Sequence, residues 1–231
     1  MFPKLIFQTW KTHDIPKEWE SWHNSWEKYN PDYEFVLHDD YENRELVRKH
    51  FPGYLELYDS FHAEIYRADI IRYFFLYKYG GIYADLDFEC LRPFDSLLEE
   101  QKNKEIILGR VKKRYLYSLP NAIMISKPGN KFWIEVINKI YEAPIEDRKR
   151  SPDAITGPVP LENTYYGLTD KDQFAIMDDY VFYNLNYGHL IALNRDKKNT
   201  RFHIAMSRAE AIARDSYAFT YWSHSWGGTW E

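Results

Sequence analysis

An α/β fold with a mainly parallel central sheet and helices on both faces is predicted by two features of the chain. Short apolar runs alternate in order with longer amphipathic ones, and Gly, Pro, Asn and Asp punctuate the junctions. The prolines are scattered rather than gathered into a linker, and no internal repeat or low-complexity stretch is visible. The sequence therefore predicts one domain over 1–231, closing in an aromatic tail from about residue 217.

The elements follow in order. Lys4 to Trp10 is an apolar run ending in the breaker-rich segment after Lys11, which suits a first buried strand. Pro16 opens a helix through Tyr29, in which Trp19, Trp22 and Trp26 share one face as a core stripe. Tyr33 to His38 is a second strand closed by Asp39 and Asp40, and Glu42 to Phe51 is a helix broken by Pro52 and Gly53. Ala63 to Tyr79 is the longest helix, stopped by Gly80 and Gly81 as a glycine C-cap, and Ile82 to Glu89 follows as one strand. Further strands are expected at Glu105 to Leu108 and Ala122 to Ser126, then a helix from Asn130 to Glu142 and a loop-rich region through Pro160. Beyond Leu168 the pattern weakens to strand-like pieces at Tyr180 to Tyr183 and His189 to Leu193.

Composition removes several classes of function. Of 231 residues, 45% are hydrophobic and 28% charged, which excludes intrinsic disorder as the main description. A net charge of −5 argues against nucleic-acid binding through the overall field. Cys90 is the single cysteine, so no internal disulfide holds the fold. No window has the roughly 18 apolar residues of a membrane helix, and the first ten residues do not read as a signal peptide, so a cytoplasmic location is expected. Aromatic residues reach 18%, enough for a core and a sugar- or base-stacking cleft together.

The chemistry concentrates in Ile82 to Glu89. Read as a strand, it sends Tyr83, Asp85, Asp87 and Glu89 to one face, and three carboxylates in a row repel unless a divalent cation or many donors offset them. Hard oxygen ligands suit Mg²⁺ or Mn²⁺. Asp-x-Asp alone means little, since it recurs at Asp170 and Asp172, but only Asp85 and Asp87 end an apolar strand, where open sheets bind ligands. On these residues alone a cation site and a solvated strand edge both stand. Asp69 and Arg72, one helical turn apart, are likewise a surface ion pair or the polar rim of the same cleft, with Arg72 on a phosphate and Asp69 on a sugar hydroxyl.

These residues carry a resemblance. The run from Ala68 through Asp69, Arg72, Tyr73, Gly80, Gly81, Ile82 and Tyr83 to Asp85 and Asp87 resembles the sugar-binding DXD region of glycosyltransferase family 32, which includes yeast-type α-mannosyltransferases and sphingolipid mannosyltransferases. The opening Pro3, Lys4, Ile6, Gln8, Thr9, Trp10 and Lys11 is similar to the family's N-terminal pattern, with Phe7 where His is usual. Asn121 to Met124 and the Thr156-Gly157-Pro158 loop resemble further family segments. Ser225 and Trp226 resemble the closing Ser-Trp, but Thr220-Tyr221-Trp222 stands where the family often has His-His-Trp.

The resemblance implies a GT-A fold and a retaining, metal-dependent transfer of a hexose from a GDP- or UDP-sugar to a glycan, polysaccharide or lipid-linked hydroxyl. It implies that Trp10 stacks on the base, with Gln8 and the loop around Asp39 and Asp40 nearby. Asp69, Arg72, Gly81, Tyr83 and Asn121 would border the donor, Asp85 would touch ribose or sugar, and Trp226 would close over it. Asp87 would ligate Mn²⁺ or Mg²⁺, with His224 in place of the missing histidine, and Asp85, Asp87 and Arg72 would form the catalytic set. Two competitors remain: a metal-dependent phosphoesterase acting on a nucleotide or sugar phosphate, and a non-catalytic sugar-binding module. The expected setting is a surface or capsular polysaccharide pathway, with possible peripheral membrane contact through the basic stretches at Arg110 to Arg114 and Arg148 to Arg150.

Overall fold

The computed structural model describes residues 1–111, 117–143, 151–185 and 197–223. The strands are β1 (Leu5–Thr9), β2 (Glu34–His38), β3 (Gly81–Ala84), β4 (Phe88–Cys90), β5 (Ile106–Gly109), β6 (Ile123–Ser126), β7 (Phe174–Met177) and β8 (Ala218–Thr220). Six of them form one sheet in the order β2-β1-β3-β6-β5-β7, in which β6 alone runs against its neighbours. The sheet is thus mainly parallel, as expected, and β4 and β8 form a separate antiparallel pair.

The pleat sorts the core into two layers. Phe7, Tyr83, Leu108 and Met124 face one layer, filled by α2 (Asp40–His50), α3 (Leu55–Ser60), α4 (Glu64–Lys78), α6 (Lys131–Glu142) and α8 (Pro158–Gly167). Ile6, Ile82, Ile107 and Ile125 face the other, against α1 (Glu20–Tyr29), α5 (Asp95–Glu100) and α9 (Asp179–Phe182). Two short helical elements precede α1 and α3, at Lys17–Trp19 and Pro52–Tyr54. Trp26 is wholly buried and donates to the Phe88 carbonyl at 2.9 Å, so that part of the tryptophan stripe is core; Trp22 instead stacks on Tyr221. No helix of the described residues is long and apolar enough to cross a membrane.

Three expectations are corrected. The strand read over Ile82 to Glu89 breaks after Ala84: the Phe88 amide returns to the Asp85 carbonyl at 3.0 Å, and the chain turns out of the large sheet into β4. The loop-rich stretch before Pro160 holds α7 (Pro152–Ile155) and the start of α8, both opened by a proline at a position whose missing amide costs nothing. Tyr180 to Tyr183 lies largely in the helical turn of α9, while β7 and α10 (Lys197–Ala213) form where the pattern was weak. His189 to Leu193 lies outside the described residues.

The glycine stop after α4 holds as read. Gly80, at φ +67°, donates its amide to Leu76, and Gly81, at φ +87°, enters β3 directly against β1. A Cβ on Gly81 would fall 2.4 Å from the Leu5 carbonyl oxygen. Gly81→Ala is therefore expected to cost roughly 2–3 kcal/mol in urea unfolding, from backbone strain and the clash together. An unchanged midpoint would mean that β1 yields at Leu5.

Candidate active site

A cavity of about 250 Å³ opens where β1 and β3 end, as the parallel half of the sheet dictates. Its wall combines Thr9, Trp10 and Lys11 at the end of β1, Asp69 and Arg72 of α4, the Asp85–Asp87 turn, Asn121 before β6, Asp153 of α7, and Thr220, Trp222 and Ser223 at the C-terminal side.

Arg72 is the electrostatic centre. It is 4% exposed, pairs with Asp69 at 2.9 Å and Asp85 at 3.2 Å, and donates to the carbonyls of Ala68 and Asn121. Its guanidinium also lies 4.7 Å from the centre of the Tyr83 ring, whose hydroxyl donates to Asp85 at 2.6 Å. Burial pushes the Asp69 carboxyl up, against the pull of Arg72 and an amide bond from Asn121. Asp85 is likewise raised by burial and held back by Arg72. The spacing of Asp69 and Arg72 thus makes a buried pair rather than a surface one.

Asp87 sits at the tip of the turn. Its Oδ2 accepts the Ser223 amide at 2.8 Å and the Ser223 hydroxyl at 3.0 Å, and its carbonyl accepts the Tyr221 amide. Burial and then the neighbouring Asp85 carboxylate push its carboxyl up to about 6. Glu89, expected on the same face, is carried away by the turn and pairs with Arg208 and Tyr221.

Trp10, Asp69, Arg72, Tyr83, Asp85, Asp87 and Asn121 are brought together on the cavity wall. Gln8, Gly81 and Asp39 are not. Gln8 lies 2% exposed, hydrogen-bonded to His23 at 2.6 Å and donating to the Asp85 carbonyl from below, because its strand position points it into the protein. Gly81 packs on Leu5, one strand register before the wall. Asp39 caps α2, accepting the Glu42 amide at 2.8 Å while Glu42 accepts the Asp39 amide, and Asp40 is the one that lines the cavity. His224 and Trp226 lie outside the described residues. His13, Asp39 and Glu42 form a further group of close potential ligands, off the cavity wall and built into that cap. Ser223 and Asp153 were not anticipated: the first reaches Asp87 only through the β4–β8 pairing, and the second has no hydrogen-bond or ion-pair partner among the described residues.

The donor set fits a hard divalent cation. Among the described residues, Asp40, Glu64, Asp69, Asp85, Asp87 and Asp153 line the cavity with Lys11 and Arg72 as the cations. Arg72 already serves Asp69 and Asp85, so the uncompensated charge falls on Asp87, whose Oδ1 has no side-chain partner among the described residues.

This sheet order, with a DXD turn at its switch point, defines a glycosyltransferase fold of the GT-A type. The chain resembles mouse xyloside xylosyltransferase 1 with a TM-score of 0.53 at 11% identity, over 97% of this chain and 99% of that one. Residues 16–104 match the family described as the glycosyltransferase sugar-binding region containing a DXD motif. Inositol phosphoceramide mannosyltransferase 3 of Schizosaccharomyces pombe is 40% identical over 138 residues, 60% of this chain and 37% of the relative. The Saccharomyces cerevisiae protein HOC1 is 30% identical over 227 residues, 83% of this chain and 56% of the relative. The chain thus spans less than two thirds of these relatives' length. Residues 16–104 carry this family's DXD-containing region, and together with these relatives they make the chain similar to glycosyltransferase family 32.

Proposed function

We propose that the chain transfers a hexose from a nucleotide-diphosphate sugar to a hydroxyl of a glycan or lipid-linked acceptor, with a divalent cation and with retention at the anomeric carbon. The observation that carries this reading is the carboxylate excess at the Asp85–Asp87 turn, set in one cavity with an aromatic wall at Trp10 and Trp19. An anionic diphosphate enters such a cavity only with a cation. The mannosyltransferase names of the relatives support mannose as the hexose, and the inositol phosphoceramide in one name supports a lipid-linked acceptor.

Asp87 would hold Mn²⁺ or Mg²⁺, which supplies positive charge for the leaving diphosphate. Ser223 fixes the carboxylate by one oxygen, leaving the other to the cation. Arg72, walled in by Asp69, Asp85 and Tyr83, is a positioning residue: it sets the Asp85 carboxylate toward the donor rather than meeting a phosphate itself. Trp10, its ring edge against Trp19 at 4.8 Å, offers a face to the base. Asp153, a cavity-lining carboxyl without a partner among the described residues and raised by burial, favours a hydroxyl donor and suits a sugar.

A thermal-shift panel of UDP, GDP, CDP and their sugars tests the reading, each with Mn²⁺ and with EDTA. One nucleotide is expected to raise Tm only with Mn²⁺, by roughly 5–10 °C at a hundredfold excess over Kd. No metal-dependent shift with any nucleotide would overturn it. Turnover of the sugar nucleotide that no glycan or lipid acceptor accelerates would move the reading to a phosphoesterase.

A further inference from the structure

Helix α10 has two faces, and only one is covered. Ala211 is buried with Phe219 and Leu185, Ile204 packs on the same cluster, and Arg208 grips Glu89 of β4 through two nitrogens, at 2.6 Å and 2.5 Å. On the opposite side Phe202, Ala205, Met206, Ala209, Ile212 and Ala213 follow the spacing i, i+3, i+4, i+7, i+10 and i+11, which places them in one stripe. Every one of the six is exposed. Phe202, Met206 and Ile212 show 63%, 55% and 49% of their surface. Scattered apolar residues are ordinary on a surface, but a stripe along three turns of one helix is a contact surface.

Charge identifies the occupant. Residues 197–214 contain Lys197, Lys198, Arg201, Arg208 and Arg214 against Glu210 alone, in a chain whose net charge is −5. Arg208 is spent on Glu89, and Glu210 and Arg214 offset each other at 2.9 Å. The other positions of positive charge, Lys197, Lys198 and Arg201, fall at the helix N-terminal end, within about one turn of Phe202 in the sequence. An apolar stripe with a basic end is the chemistry of a helix lying in the headgroup region of an anionic bilayer. A second copy of the chain is a poorer occupant, because three large side chains fall well short of the roughly 800 Å² per partner that a stable dimer buries.

We propose that α10 is a peripheral docking surface for an anionic lipid bilayer, its stripe sunk among the headgroups and its basic end over the phosphates. The proposal stands on α10 and does not depend on the transfer reading. It does connect to the candidate site: Glu89, which Arg208 grips, also accepts the Tyr221 hydroxyl at 2.7 Å and lies two residues beyond Asp87. A docked α10 therefore holds the tail side of the cavity near the lipid surface.

Flotation of the full chain with vesicles of phosphatidylcholine alone, and of phosphatidylcholine with phosphatidylserine, tests it. The chain is expected to float with the anionic vesicles, less so as salt rises. Phe202→Ser with Met206→Ser is expected to reduce that partitioning about tenfold, and Lys198→Glu with Arg201→Glu by a similar factor. Arg201, Phe202 and Met206 are exposed, so unchanged unfolding midpoints are expected. Failure of the unaltered chain to float, or equal flotation by either variant, would overturn the proposal. So would a dimer in analytical ultracentrifugation that the Phe202/Met206 variant converts to monomer, since a second copy would then cover the stripe.

Discussion

Asp87→Asn is expected to lower transfer about a thousandfold or more while the protein melts higher than before, by about 2–4 °C in the absence of metal. The two effects have one cause. Asp87 is raised to about 6 by burial and by the Asp85 carboxylate, so at neutral pH the cation-free protein holds a charge that it would be more stable without. The sign follows from linkage: a carboxyl whose folded pKa lies above its unfolded value of 3.8 costs stability as pH rises between the two. Without metal, the native chain should therefore lose stability from pH 4 to pH 6, and the asparagine variant should lose less. Asparagine keeps the acceptor for Ser223 and removes the charge that a cation needs. Melting curves across that pH range, with and without Mn²⁺, check both halves. A variant that retains near-native turnover ends the assignment of Asp87 as the cation ligand. A variant that melts lower shows that the bonds from Ser223 outweigh the repulsion from Asp85.

Local chemistry made much of this protein legible. The strands β1, β2, β5 and β6 and the helices α1, α2, α4 and α6 are marked by periodicity and by stops such as Gly80 and Asn130, the latter capping α6 through the Phe132 amide. The alternation through Ile82 to Glu89 misled because it is a property of side chains, whereas the turn at Asp85 is made by backbone bonds to Ala122 and Phe88. Leu86 is buried in either arrangement, so the pattern could not separate them. The strand β8 and the Ser223 contact depend on pairing across more than a hundred residues, which no local signal encodes. Gln8 and Gly81 shared a motif with wall residues and so were grouped with them. One lies a strand position away with its side chain turned inward, and the other is required by a close backbone approach rather than by a ligand. Helix α10 has a weak pattern for a physical reason: both of its faces carry apolar residues, and only one of them is packed.

Arg72→Met is expected to destabilise the fold by roughly 3–5 kcal/mol, the larger of the two stability effects, although methionine is close to arginine in length and fully apolar. The loss comes from what is left behind. Asp69 is 6% exposed and Asp85 lies beside it, and the substitution removes the cation that both face, together with the donors to the Ala68 and Asn121 carbonyls. The buried Asp69 and the half-buried Asp85 then face each other, with Asn121, Thr156 and Tyr83 as their donors among the described residues. Protonation relieves part of this cost, so the variant should be least unstable in mild acid and lose ground as pH rises, because both folded carboxyl pKa values already lie above their unfolded ones and removing Arg72 raises them further. Asp69→Asn in the Arg72→Met background removes one of the two stranded charges. It is expected to return about half of the lost stability and to flatten the pH dependence, a non-additivity that a double-mutant cycle by urea unfolding measures directly. Independent, additive losses would mean that water reaches Asp69 when Arg72 is gone. The network would then be a hydrated rim of the cavity rather than the buried frame that sets Asp85.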